Sequence, residues 1–230
     1  MVKDTITNWN EKVKKTMRND LPLDKNYKNH LVKPATHIGL FGSTGSGKTT
    51  TLVEFLHRTK GVWTQIIIFT GAGSTDEQLY QFLQEAIPEI VITNDIEELP
   101  KLEDFSETHN QDQKIICFDD SSLLENKQMK QIMRFFMAAR KMGISVWFLS
   151  QNYHSTPSFI RRNISYMFLY KIPDLADLKK IHSKNCADIP FNLFNEMYRR
   201  ASADKGNFLK IDLTENNPLL KYKHNFIGTL

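Results

Sequence analysis

Between Gly42 and Thr49 the chain reads GSTGSGKT, and no other stretch constrains the fold as tightly. The segment fits G-x-x-x-x-G-K-[ST] at every position, after an apolar run, HIGLF, and before an amphipathic one, TTLVEFL. Successive backbone N–H groups can wrap a polyphosphate only where side chains do not obstruct the approach, hence the glycines. The helix that follows turns its positive end toward the same charge. The pattern therefore predicts a strand, a phosphate loop and a helix. A nucleoside triphosphate is expected on Gly42, Ser43, Thr44, Gly45, Ser46, Gly47, Lys48, Thr49 and Thr50. Lys48 is placed for the outer phosphates and the Thr49 hydroxyl for Mg2+.

Apolar blocks alternate with helical patterns along the rest of the chain. Strands are expected over 37–42, 65–70, 89–93, 114–120, 145–151 and 166–172. They are continuous apolar runs, as strands covered on both faces require. Helices are expected over 48–59, 75–86, 126–142, 157–163, 174–184 and 190–203, and the tail NFLKIDLT…NPLLKYKHNF reads as a hairpin at one edge. The fold class is α/β: a three-layer P-loop NTPase with a mainly parallel sheet. Residues 1–33 read as an extension, helix-forming at first and then a linker, with the ATPase domain over 34–230. Within that domain, 35–172 is the core, and 173–230 holds the C-terminal helices and hairpin.

Composition excludes several classes. Apolar runs such as SVWFL and YMFLY are too short to span a bilayer, so no membrane partner is expected. The polar N-terminus lacks the apolar core of a signal peptide, so an intracellular location is expected. Two cysteines make no disulfide framework, and Cys117, inside IICF, reads as a buried hydrophobe. Between Asp76 and Asp112 eleven acids face one lysine, whereas the first 33 residues carry a net +4. This asymmetry fits either solvated surface elements or basic segments that meet nucleic acid.

Three further groups complete a candidate site. KIICFDD delivers Asp119 and Asp120 at the carboxyl end of a strand, where ligands sit in open α/β sheets. Asp119 is assigned to Mg2+, with Thr49. Asp120 either polarises the attacking water or caps the turn that follows. SVWFLSQN ends a second strand in Gln151, whose amide either reads the γ-phosphate and water or serves ordinary turn chemistry. Arg140 ends a helix whose expected buried stripe is Met129, Ile132, Met133, Phe136 and Met137. That helix must finish at the edge away from the nucleotide. Arg140 is therefore either a helix-terminal cation or an arginine finger offered to a neighbouring subunit. Arg161 and Arg162 are the rival fingers. Phe135, Phe136, Phe168 and Tyr170 read as core, and the histidines show no metal-ligand spacing.

The order GSTGSGKTTTL, KIICFDD, FFMAARKMGISVWFLSQNYHSTPSFIRRNISYMFL resembles the genome-packaging ATPases of double-stranded DNA viruses. These form a subgroup of the FtsK/HerA branch, with members in poxviruses, giant viruses and virophages. The resemblance covers roughly residues 35–172 and is most specific from the arginine through Gly-Ile-Ser to Ser-Gln and Ile-Arg-x-Asn. It implies a RecA-like core, ATP and Mg2+ as cofactors, and a homo-oligomeric ring, pentameric or hexameric. It also implies double-stranded DNA as the partner, together with a capsid vertex or other virion protein. The location would be the host cytoplasm or a viral factory, or the virion itself. Asp120 departs from the family, where many members carry Glu. Two other classes stay open: a nucleoside-type P-loop kinase, and an ATP-binding scaffold that does not translocate.

Overall fold

A computed structural model describes residues 21–71, 77–105, 112–120 and 124–230. Its centre is an eight-stranded sheet. The strands are β1 (His37–Phe41), β2 (Trp63–Thr70), β3 (Val91–Thr93), β4 (Gln113–Asp119), β5 (Ile144–Ser150), β6 (Tyr166–Leu169), β7 (Leu209–Asp212) and β8 (Tyr222–His224). Their order is β3-β2-β4-β5-β1-β6-β7-β8. The first six in that order run parallel, and β7 and β8 add antiparallel pairings at the edge.

The apolar runs fill both sheet faces because alternate residues of a strand point in opposite directions. In β4, Ile115 and Cys117 join one core cluster while Ile116 and Phe118 join the other. Helices α1 (Lys48–Arg58) and α2 (Glu77–Ala86) cover the first face with Leu52, Phe55, Leu56, Tyr80 and Leu83. The opposite face is covered by α3 (Asn126–Ala138), α4 (Ser158–Asn163), α5 (Leu175–Asn185) and α6 (Phe191–Ala201). These layers are the three expected from the sequence. Among the described residues, no helix is long and apolar enough to cross a membrane.

Several local expectations change. The strand expected from 89 is confined to Val91–Thr93. The helix expected to reach 142 gives way at Ala139 to a 3-10 turn, Ala139–Met142, closed by Gly143 in the left-handed region. Its buried stripe is Ile132, Phe135 and Phe136, while Met137 is 69% exposed. The tail does form an edge hairpin, but a short helix, α7 (Pro218–Lys221), occupies the connection. The helix expected near the N-terminus lies outside the described residues. Near the end of the stretch expected as linker, His30 and Val32 are buried, Val32 is in the core, and Lys210 Nζ donates to the carbonyls of His30, Leu31 and Phe226.

Candidate nucleotide-binding site

Register brings the sequence motifs together. Phe41 pairs with Ser150, and Asp119 lies beside Leu149, so the ends of β1, β5 and β4 emerge side by side. The phosphate loop leaves β1 with the Gly42 N–H donating to the Ser150 carbonyl at 3.3 Å. Gly47 caps α1 with φ 104°, and a Cβ there would lie 2.8 Å from the Gly206 Cα. Glycine is therefore required twice over, by conformation and by space. The Gly206 N–H donates to the Ser46 carbonyl, tying the α6–β7 turn to the loop. Lys48, 7% exposed, donates to the carbonyls of Gly42 at 2.8 Å and Ser43 at 3.1 Å, so its ammonium spans the mouth of the loop.

Asp119 is 3% exposed. Its Oδ2 accepts from Thr49 Oγ1 at 3.1 Å and from the Tyr80 hydroxyl. Burial pushes the Asp119 carboxyl above its usual range; the hydrogen bonds from Tyr80 and Thr49 and the Lys48 charge pull the other way. A hydroxyl and a carboxylate side by side are hard oxygen donors of the kind Mg2+ takes, and a buried carboxylate gains from a cation. Among the described residues no cluster of three metal-ligating side chains exists. This suits an ion that uses one or two protein ligands and takes the rest from phosphate and water. The residues thus fit Mg2+ on Thr49 and Asp119.

Asp120 leaves β4 with φ 48°, a left-handed conformation that Asp tolerates better than most residues. Its Oδ1 accepts from Gln151 Nε2 at 3.1 Å, so the two candidates from different strands form one pair beside the loop. Part of the DSSLL turn after Asp120 and most of the GAGSTDEQ loop lie outside the described residues. The end of β2 is clamped to the same strand. The Gly71 N–H donates to the Asp119 carbonyl at 2.7 Å, and a Cβ on Gly71 would sit 2.0 Å from the Asp120 carbonyl oxygen.

Arg140 lies at the opposite, amino-terminal ends of the strands. Its guanidinium donates to the Asn163 carbonyl at 3.0 Å and Ser165 Oγ at 2.8 Å, beside His37 at the start of β1. Burial, reinforced by the Arg140 charge, lowers the His37 pKa to about 4, which keeps it neutral. Arg161 stacks its guanidinium over the Tyr153 ring at 4.9 Å, and Arg162 is exposed. Tyr80 is the site residue that sequence reasoning did not find. It carries no motif, and only the packing of α2 across the sheet brings it to Asp119.

Fold and site together define a P-loop ATPase with a RecA-like core. The chain belongs to the Poxvirus A32 protein family, whose model matches residues 24–188. Among solved structures it is similar to B204, the DNA-packaging ATPase from Sulfolobus Turreted Icosahedral Virus, at 17% identity and TM-score 0.54, covering 79% of this chain and 94% of that one. The B204 genome packaging NTPase from Sulfolobus turreted icosahedral virus 2, in complex with ATP-gammaS, gives 14% identity and TM-score 0.53, with 80% and 95% covered. EssC (ATPases 2 and 3) from Geobacillus thermodenitrificans gives 13% and 0.58, covering 85% of this chain and 40% of that one. At these identities the likeness is one of fold. No curated protein matches the chain.

Proposed function

We propose that this chain is the subunit of an ATP-driven motor that moves double-stranded viral DNA into a preformed capsid. The observation that carries this reading is the Asp120–Gln151 pair beside a complete phosphate loop, in a chain of the A32 family. A site built only to hold ATP has no need of a second carboxylate held by an amide.

The loop N–H groups and Lys48 receive the β- and γ-phosphates, with the helix α1 dipole behind them. Thr49 and Asp119 would hold Mg2+, which when bound neutralises phosphate charge. Asp120 accepts the proton of the attacking water, and Gln151 orients Asp120 and the water. Hydrolysis is completed between subunits of a pentameric or hexameric ring. Arg140 lies at the strand ends opposite its own loop, so a neighbour's nucleotide is the one available to it, with Arg161 and Arg162 as rivals. A capsid vertex or other virion protein would dock the ring, in the host cytoplasm, a viral factory or the virion.

The test is ATP hydrolysis with and without duplex DNA, at several salt concentrations. A motor should be stimulated by duplex of any sequence. Its DNA affinity should fall steeply with salt, by about 0.9 in log K per log salt for each phosphate neutralised. Hydrolysis indifferent to DNA would favour the scaffold, and phosphoryl transfer to a nucleoside would favour the kinase.

A further inference from the structure

We propose that Tyr80 is a positioning residue for the metal-binding carboxylate, holding Asp119 so that it receives Mg2+ together with Thr49. The inference rests on the nucleotide-hydrolysing reading above. Tyr80 and Leu83 turn the apolar face of α2 onto the sheet, while Phe82 between them is 56% exposed. Packing alone would be met by phenylalanine. The tyrosine hydroxyl instead reaches Asp119 Oδ2, the same oxygen that accepts from Thr49, and lies beside the Thr49 hydroxyl itself.

A second contact fixes this geometry from the other end of the connection. Gly71, the residue that follows β2, is pressed against Asp119 and Asp120 at a distance that leaves no room for a side chain. The strand carrying Asp119 is therefore held on one side by Gly71 and at its carboxylate by Tyr80. A carboxylate with two donors on one oxygen loses rotational freedom about χ2. A cation arriving at Thr49 then finds its partner already oriented, as metal ligands generally require of the groups behind them.

Two variables separate this role from packing. Wild-type and Tyr80→Phe proteins, stripped of metal and exchanged into chelator-free buffer, are titrated with ATP-gammaS, and the nucleotide complexes are then titrated with Mn2+ followed by electron paramagnetic resonance. Removing one hydrogen bond to a charged group should weaken Mn2+ binding about tenfold. Metal-free nucleotide affinity and the melting temperature should stay at the wild-type values. Equal Mn2+ affinity in the two proteins overturns the role of Tyr80 alone. So does a loss of metal-free nucleotide binding as large as the loss of Mn2+, which would make Tyr80 a packing residue. Wild-type protein that binds no ATP-gammaS, either without metal or with Mn2+ present, overturns the nucleotide reading, and the role of Tyr80 with it.

Discussion

Asp120 occupies a backbone conformation that asparagine tolerates equally well, which makes Asp120→Asn a clean probe of its charge. The variant should fold and bind Mg2+ and ATP as before, because Thr49, Asp119 and Lys48 are untouched. Its turnover should fall by roughly 10²–10⁴-fold, the usual contribution of a positioned general base. Pre-steady-state phosphate release would measure this, and a wild-type rate would return Asp120 to the role of a turn residue. Lys48→Ala acts differently. It removes the charge meant for the outer phosphates and should abolish hydrolysis with unchanged circular dichroism. Asp119 illustrates the general point at this scale. Its burial is unfavourable for a charge, and the structure offsets it with two hydroxyl donors and a nearby ammonium.

At the scale of elements, the site depends on how closely the ends of neighbouring strands approach. β2 and β4 pair through Thr70 and Asp119, and Gly71 continues that approach beyond the last pair. Gly71→Ala would place a methyl group 2.0 Å from a backbone oxygen that no rotamer can move. The strand ends must separate, at a cost of about 1–3 kcal/mol. A domain of this size then loses several degrees in melting temperature, at about 2–4 °C per kcal/mol. Hydrolysis should fall further than stability, since the displaced segment carries both Asp119 and Asp120. A melting curve and an ATPase assay on the same preparation give both numbers, and a variant as stable and active as wild type would show that the contact is loose. α3 teaches a complementary lesson. Its end tightens into a 3-10 turn before Gly143, which rotates Arg140 onto Asn163 and Ser165.

For the whole molecule, the question is whether one copy holds a complete site. Arg140 sits across the sheet from Lys48, so a shared site predicts complementation. Arg140→Ala subunits keep a sound loop, and Lys48→Ala subunits keep the arginine. Each alone should be nearly inactive, and their mixture should regain activity at interfaces that join one sound loop to one sound arginine. Exchange between rings is verified with labelled subunits, and melting curves show whether loss of the Asn163 and Ser165 contacts harms the Arg140 variant itself. Exchange without recovered activity would exclude Arg140 as a finger acting between subunits. The same mixing with Arg161→Ala and Arg162→Ala then assigns or dismisses those two.

Local chemistry was enough for the sequence to determine the strand–loop–helix around Gly42–Thr49, the six parallel strands and the acid pair ending β4. Each rests on short-range rules: glycine where backbone must wrap an anion, apolar runs where both faces are covered, polar residues where strands end. The sequence also placed Phe135, Phe136, Phe168 and Tyr170 inside. The tertiary structure alone decided which groups meet. Asp120 and Gln151 are 31 residues apart and touch because β4 and β5 are neighbours in register. Tyr80 reaches Asp119 across 39 residues because α2 packs on that face of the sheet. Met137 was expected to be buried, yet it faces outward because Phe135 and Phe136 fill the space over β4 and β5. Residues 30–32 read as linker because nothing local marks them, and they are held instead by Lys210, which needs carbonyl partners once β7 buries it. Such contacts depend on strand order and on long-range packing, and no window of sequence contains both partners.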